Sequence, residues 1–343
     1  MGNYNYCFVT TLFGARYNGM LLTLLYSIKK NVPDADCFVF HQDNEGLFQD
    51  VKDAFPETTF VRTNFSFSDD KVLRISSKTL MWSDAVSWLL KNKGPQYDFT
   101  VLLDVDTLVL KDPFPELEGL DVLDADVLIT LKENEKWPIN TGVVIARVSN
   151  KTAEFFSAWK ARTFDLFQDA VALKQASSVD APYGGVDQMS MYQLIGYAAG
   201  EKNFNDAHGL GLRIKGIPCM SFNETNSRPI TERTCIIHFK GGWQPILLDG
   251  KNFTKNRSKR ECWPMYTQYL DAYKRAIGYL ASKTGRPWDS KECGIYVPHY
   301  YDKESFHHQL AYALHCVKNY GANAIARLKR ARNKVVRSCR QCT

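Results

Sequence analysis

Two carboxylates stand one residue apart in VLLDVDTLVL, residues 101–110, a run that is otherwise apolar apart from Thr107. A buried strand does not carry unpaired charge, because an uncompensated ion in an apolar interior costs at least several kcal/mol. Asp104 and Asp106 therefore call for a cation. On an extended backbone residues i and i+2 share a face, so both side chains are expected to approach one centre. Two hard oxygen anions there invite a divalent ion, and a histidine partner shifts the preference toward Mn2+ or a similar transition ion over Mg2+. His238 in IIHFKGGWQP is the candidate, since it follows an apolar run and precedes Gly241 and Gly242, a strand end opening into a loop. Taken alone it reads as a satisfied core histidine; beside an Asp-x-Asp strand end, ligation is favoured. The two glycines let backbone N–H groups approach an anion, and Lys240 adds charge. Together these residues describe a metal-bound diphosphate.

The elements that must hold such a site are readable along the chain. YCFVTTLF is a short β-branched and aromatic run, and MLLTLLYSIKKN has the apolar spacing and basic end of a helix stopping before Pro33. CFVFHQD and TTFVRTNF repeat the strand signal, SKTLMWSDAVSWLLKNKG reads as a helix ending at Gly94, and FTVLLDVDTLVL reads as one strand. VLIT and TGVVIARV are further strands, NKTAEFFSAWKARTF and GGVDQMSMYQLIGYAAG helices, and RTCIIHFKGGW a last strand. This alternation predicts an α/β fold with a mostly parallel central sheet flanked by helices. In such sheets ligands collect beyond the carboxyl ends of the strands, where Asp104 and Asp106 fall. After about Trp243 the sequence turns polar and basic, with helical spacing over residues 266–279 and 305–320. A catalytic unit over residues 1–250 and a helical, basic C-terminal extension over 251–343 are expected.

Composition narrows the class. At 343 residues, 45% hydrophobic and 23% charged, the chain is ordinary globular. Its formal net charge of +6 suits an anionic ligand, but the charge is not one continuous patch, so nucleic acid is not expected as a partner. Much of the excess lies between Gly321 and Thr343, with seven Lys or Arg and no Asp or Glu. Nine scattered cysteines, with Cys7, Cys37 and Cys235 in apolar runs, suit a reducing compartment, and the lone Cys339-x-x-Cys342 has no second pair to make a zinc site. The N-terminus lacks a signal-peptide pattern, MLLTLLYSI is too short to span a bilayer, and Tyr6 breaks the myristoylation motif. The expected location is the cytoplasm or the cytoplasmic face of a membrane. The sequons at Asn64, Asn150, Asn223, Asn252 and Asn256 are accordingly read as incidental.

FVTTLFGARYNG, SKTLMW, DVDTLVL, NTGVVIAR, GGVDQMSM and HFKGGWQP follow an order that resembles family 8 of the retaining glycosyltransferases, the glycogenin and lipopolysaccharide galactosyltransferase family. The resemblance covers about residues 6–247. It implies a GT-A fold, a UDP-sugar donor, Mn2+ or another divalent cation held by Asp104, Asp106 and His238, and hexosyl transfer with retention to a glycan, protein or lipid-linked acceptor. Thr10, Thr11 and Tyr17 are implied to hold base and ribose, and Asn140 the donor-sugar hydroxyls. Lys78 is implied to meet the donor and the first aspartate, with Arg74 as the fallback. Asp187 and Gln188 are implied to lie at the anomeric carbon and, with Lys78, form the catalytic set. Val105, Lys240, Gly241 and Trp243 complete the donor contacts. Ordinary alternatives are a surface lysine for Lys78 and helix capping for Asp187. The sequence departs from the family pattern at Phe13, Gly14 and Ala15 in the nucleotide loop. Gln244 stands where a phosphate-gripping lysine is expected, and Ile246 follows Pro245 where the family has Trp. An upstream acidic residue has Glu133 and Glu135 as its candidates.

Breaking a glycosyl–phosphate bond develops negative charge on the diphosphate and positive charge on the sugar, so a clamped divalent ion and nearby lysines would stabilise the leaving group. With Gln244 in place of lysine, heavier reliance on metal is expected. Trp243 and Trp137 adjoin the site, and Trp243 is the better sugar contact; Trp82, Trp88 and Trp159 fall in helical patterns and read as packing. The tail GANAIARLKRARNKVVRSCRQC has the pattern of a basic amphipathic helix, readable as a lid, an acceptor platform, a peripheral membrane contact or a solvated helix end. A sugar-phosphate nucleotidyltransferase and a nucleotide-sugar-binding protein without turnover are the rival readings, and the oligomeric state is left unassigned.

Overall fold

The computed structural model describes residues 4–42, 47–63, 78–132, 138–177, 185–198, 200–205, 209–225, 230–240, 247–248, 263–289 and 292–295. The chain begins with β1 (Tyr6–Leu12), α1 (Asn18–Asn31), β2 (Asp36–His41), α2 (Leu47–Ala54) and β3 (Thr59–Arg62). It continues through α3 (Lys78–Lys93), β4 (Phe99–Leu103), β5 (Thr107–Val109), α4 (Phe114–Gly119), β6 (Val127–Leu131) and β7 (Ile139–Arg147). Then come α5 (Asn150–Gln168), α6 (Ala170–Ser177), α7 (Val186–Leu194), β8 (Asn203–Asn205), β9 (Arg213–Pro218), α8 (Cys219–Phe222), β10 (Ile236–His238) and α9 (Trp263–Thr284).

Eight strands form one sheet in the order β3-β2-β1-β4-β7-β6-β9-β8, and four of its seven pairings are parallel. β1 reads as a near-continuous apolar run because both its faces are covered, which is the signature of a central parallel strand. From β1 the chain winds outward to β3 and then returns to place β4 on β1's other side. Strand order reverses between β1 and β4, and the carboxyl ends there open the crevice that α/β sheets use for ligands. One face of the sheet packs against α1 and α9, with Leu24, Leu25, Tyr269, Leu270 and Tyr273 buried among the β1 and β4 side chains. The other face packs against α3, α5 and α7 through Trp82, Phe155, Trp159 and Met191.

The structure departs from the sequence reading at FTVLLDVDTLVL. The run is two strands: β4 ends at Leu103, the chain turns through Asp104–Asp106, and β5 leaves the main sheet to pair antiparallel with β10. The turn is closed by the Thr107 amide and hydroxyl, which donate to the Asp104 carbonyl at 3.1 and 2.7 Å. The expected extended Asp-x-Asp is therefore a turn. β-branched and aliphatic residues on both sides of it are buried in either case, so the apolar pattern could not reveal the break.

Local capping agrees with the predicted helices. Ser149 and Thr152 make a reciprocal capping box at the start of α5, at 3.3 and 3.1 Å. α9, within the expected extension, shares the main core, with the Tyr269 ring 4.6 Å from that of Phe239 and the Tyr279 hydroxyl donating to the Ala54 carbonyl at 3.1 Å. The helix read over 305–320 and the basic tail lie outside the described residues. Among the described residues, no helix is long and apolar enough to cross a membrane.

Candidate functional site

Asp104, Asp106 and His238 come together although they are far apart in sequence. The β5–β10 pairing does this: His238 sits opposite Thr107, and the Phe239 amide donates to the Asp106 carbonyl at 2.8 Å, latching the end of β10 to the aspartate turn. Nε2 of His238 lies 3.1 Å from Asp106 Oδ1 and 3.4 Å from Asp104 Oδ2. One ligand atom from each residue falls within 4.8 Å of the other two. His238 and Asp106 are buried, and Asp104 is partly buried.

The tautomer of His238 follows from its other nitrogen. Nδ1 is 2.9 Å from Asn223 Oδ1, and the Asn223 amide nitrogen donates to the Thr130 hydroxyl at 2.8 Å and the Asn140 carbonyl at 3.0 Å. With its NH2 group spent on acceptors, Asn223 presents oxygen to the ring, so Nδ1 carries the proton and Nε2 offers a lone pair. That lone pair faces two carboxylate oxygens. Three acceptors aimed at one point are satisfied by a cation, so the donor set fits a divalent transition ion. Gly142 makes the close approach sterically feasible: a Cβ there would lie 2.2 Å from the imidazole and 3.2 Å from Asp104 Oδ2.

Lys78 is the second feature. It opens α3, where the helix dipole disfavours a cation, and its ammonium is buried. Three acceptors compensate: Asp104 Oδ2 at 2.8 Å, Asp187 Oδ2 at 3.2 Å and the Thr141 carbonyl at 3.2 Å. Burial works against its charge, but the two carboxylates prevail and hold the group above the usual lysine range. For Asp104, burial prevails and raises its carboxyl, opposed by the Lys78 ammonium and assisted by the Asp106 charge. Asp187 is also penalised by burial, yet Lys78 and the hydrogen bond donated by the Thr141 hydroxyl hold it below the ordinary carboxylate range. Asp187 is in the first turn of α7, which α5 anchors: Trp159 Nε1 donates to the Asp187 carbonyl at 3.2 Å and to Ser190 Oγ at 2.9 Å.

A register shift in the β6–β7 pairing, after Ile129, orients the remaining residues. Thr130 then pairs with Asn140, leaving Thr141 and Gly142 to face Lys78, Asp187 and His238. The Asn140 amide is buried; its oxygen accepts from Lys240 Nζ at 3.1 Å and from the Gly142 amide at 3.3 Å, and its nitrogen lies 3.6 Å from Cys219 Sγ. Lys240 is pushed well below the usual lysine range, first by burial and then by the neighbouring charge of Lys132.

Asp104, Asp106, His238, Lys78, Asp187, Asn140 and Lys240 thus form one connected cluster, and Gln188 is buried in the same turn of α7. Val105 lies in the aspartate turn. Thr10 and Thr11 reach the crevice from the end of β1, but the Thr10 hydroxyl donates to the Leu103 carbonyl at 2.9 Å, a clamp between β1 and β4. Tyr17 ends a short 3-10 turn after β1 and is partly buried. Gly241, Gly242, Trp243, Gln244, Pro245, Ile246, Arg74, Glu133, Glu135 and Trp137 lie outside the described residues. Sequence reasoning missed Thr141, Gly142, Lys132 and Asn223. Asn223 had attracted notice only as a sequon; it is fully buried.

Residues 89–244 match the family model for nucleotide-diphospho-sugar transferases. The match runs through both aspartates of the turn, Asn140, Asp187 and His238. No curated protein matches the chain. Among solved structures, the chain is similar to the glycosyltransferase GlyE of Streptococcus pneumoniae TIGR4, with 13% identity and a TM-score of 0.48 over 83% of this chain and 66% of that one. It is also similar to the galactosyltransferase LgtC in complex with donor and acceptor sugar analogs, with 15% identity and a TM-score of 0.46 over 78% and 95%. A third likeness is to a glycosyltransferase involved in glycosylation of the major capsid of PBCV-1, with 10% identity and a TM-score of 0.41 over 69% and 95%. TM-scores below 0.5 leave the functional argument to the site itself.

Proposed function

We propose that the protein is a metal-dependent glycosyltransferase of GT-A type, moving a sugar from a nucleotide-diphosphate donor, read as a UDP-sugar, to a glycan, protein or lipid-linked acceptor with retention. The observation that carries the reading is the convergence of the Asp104, Asp106 and His238 lone pairs, beside a buried lysine and aspartate and within the stretch that matches nucleotide-diphospho-sugar transferases. A divalent ion bound there, Mn2+ for this mixed oxygen and nitrogen set, would supply Lewis-acid stabilisation of the departing diphosphate.

The chain's own residues would do the rest. Lys78 stays charged under the pull of Asp104 and Asp187 and orients both carboxylates. Asp187, held ionised, is suited to stabilising positive charge on the sugar ring rather than to acting as a general base, which would need a pKa near neutrality. Such a role is compatible with the retention that the resemblance to family 8 implies. Gln188, one residue on, would position the sugar, and Asn140 would bind its hydroxyls through the amide it now commits to Lys240 and Cys219.

The test is a donor panel of nucleotide sugars assayed for hydrolysis and transfer with added Mn2+ and with EDTA. Turnover of a UDP-sugar that is lost in EDTA and restored by Mn2+ is the expected result. Undiminished turnover in EDTA refutes the metal assignment, and binding without turnover of any donor refutes the enzyme.

A further inference from the structure

Beyond α9 the chain runs on to the first turn of α1. Trp288 Nε1 donates to Thr284 Oγ1 at 3.0 Å, and Asp289 and Glu292 exchange hydrogen bonds, the Asp289 amide donating to Glu292 Oε2 at 2.9 Å and the Glu292 amide to Asp289 Oδ1 at 2.7 Å. This reciprocal pair closes one turn as a capping box does, and Gly294, at φ 73°, leaves it in the left-handed conformation that glycine adopts without strain. The turn delivers Cys293 and Ile295, both buried, to the core that also holds Met20 and Tyr269. There they meet α1 at its second residue. A Cβ on Gly19 would lie 2.1 Å from the Cys293 carbonyl oxygen and 2.9 Å from Ile295 Cγ1, so this approach needs glycine. A Cβ on Gly294 would lie 3.8 Å from the Arg16 carbonyl, in the loop that joins β1 to α1. That loop leaves the carboxyl end of β1, at the reversal of strand order where α/β sheets take ligands.

We propose that residues 292–295 are a strap that positions the β1–α1 loop for the donor's nucleotide, so that strap docking and nucleotide binding stabilise each other. The inference rests on the nucleotide-sugar reading, in which this loop takes base and ribose, and deepens it by giving the chain beyond residue 250 a part in the donor site. Ala15–Tyr17 form a single 3-10 turn with no buried residue, so burial does not order the loop from within. Its order comes from what flanks it, and on the α1 side that is the helix turn on which the strap sits. A loop already held in its binding conformation pays less ordering entropy when the ligand arrives. α9 braces the other end of the crevice in the same way, with Tyr269 against Phe239, whose amide holds the Asp106 carbonyl.

The test joins titration calorimetry of the full chain against UDP, ADP and GDP with Mn2+ present to the alkylation rate of the Cys293 thiol, located by peptide mass spectrometry. Both are measured on the wild type, Gly19→Ala and Ile295→Asp. Alanine is the better helix former, so Gly19→Ala acts against strap docking rather than against α1; Ile295→Asp drives a charge out of the core and leaves α1 and its loop intact. Both variants are expected to label Cys293 faster and to bind the nucleotide at least about fivefold more weakly, the lower end of coupling between sites. In the wild type a saturating nucleotide should slow Cys293 labelling by the same factor, because linkage is reciprocal. If neither variant folds, the wild-type labelling decides alone. Nucleotide affinity within about twofold of wild type in a variant whose Cys293 has become reactive overturns the inference, as does wild-type labelling indifferent to saturating nucleotide, and either result leaves the nucleotide-sugar reading standing. Unchanged labelling in both folded variants also overturns it, since the strap would then not be docked through these contacts. Binding of none of the three nucleotides to the wild type overturns both readings.

Discussion

Gly142→Ala probes the metal cluster without removing any proposed ligand. The new methyl carbon would stand 2.2 Å from Cε1 and Nδ1 of His238 and 3.2 Å from Asp104 Oδ2. Non-bonded carbon contacts are comfortable from about 3.5 Å, so the imidazole would have to retreat by roughly 1.3 Å. Its surroundings resist. The His238 amide donates to the Glu224 carbonyl at 2.9 Å, the Phe239 amide holds the Asp106 carbonyl at 2.8 Å, and Nδ1 is tied to Asn223 at 2.9 Å. Metal–ligand distances tolerate deviations of about 0.2 Å, so a retreat of that size takes Nε2 out of coordination. Losing an outer partner of a ligand costs about 10–100-fold in metal affinity, and losing the ligand itself should cost at least about 100-fold. Overpacking costs about 1–3 kcal/mol, which an average domain survives.

The assay is Mn2+ affinity from the paramagnetic signal of the free ion, alongside thermal unfolding in EDTA. A coupled variant sharpens it: in Gly142→Ala/His238→Ala the clash is gone, so stability should recover toward that of His238→Ala alone while Mn2+ affinity stays low. Such non-additivity is the signature of two groups in contact. A folded Gly142→Ala protein whose Mn2+ affinity lies within threefold or so of wild type would refute the reasoning, since a whole lost ligand is expected to cost far more.

Three further outcomes are expected. Asn223→Leu removes the acceptor for Nδ1–H and should weaken Mn2+ binding by about 10–100-fold, whereas Asn223→Asp, which still accepts that proton, should lose much less; direct Mn2+ titration distinguishes them. Lys78→Met leaves the buried Asp187 and the partly buried Asp104 without their cation and should cost about 3–5 kcal/mol in chemical denaturation at pH 7, with part of the loss recovered by adding Asp187→Asn. Asp187 has its folded pKa depressed, so its contribution to stability is present above the unfolded value of about 3.9 and is lost as pH falls through the lower folded one. Asp187→Asn should therefore flatten the acid limb of the stability profile, and an unchanged limb would contradict the Lys78–Asp187 pairing.

The residues legible in the sequence were those that violate their local context. Asp104 and Asp106 interrupt an apolar run, and a buried anion is costly enough that its presence demands a partner, so these two positions announce themselves; His238, closing another apolar run, became legible as a ligand only beside them. Lys78 differs: it was singled out through the resemblance to family 8, and on its own a lysine at a helix start reads as a surface residue. The sheet was legible because both faces of its central strands are covered and the apolar runs are correspondingly continuous. That same continuity concealed the turn at Asp104–Asp106. Whether β5 continues β4 or leaves to pair with β10 is decided by contacts between residues 107–109 and 236–238, and a local pattern carries no record of them. Asn223 was hidden for a related reason. Its side chain obeys every local rule for a loop asparagine, and its role exists only because the register shift after Ile129 brings the Asn140 carbonyl and the Thr130 hydroxyl to its amide nitrogen, which turns its oxygen toward His238. Charges in the wrong place can thus be read from sequence, whereas the neutral groups that orient them are defined by the fold; in this site a neutral asparagine fixes which histidine nitrogen is free to bind a cation.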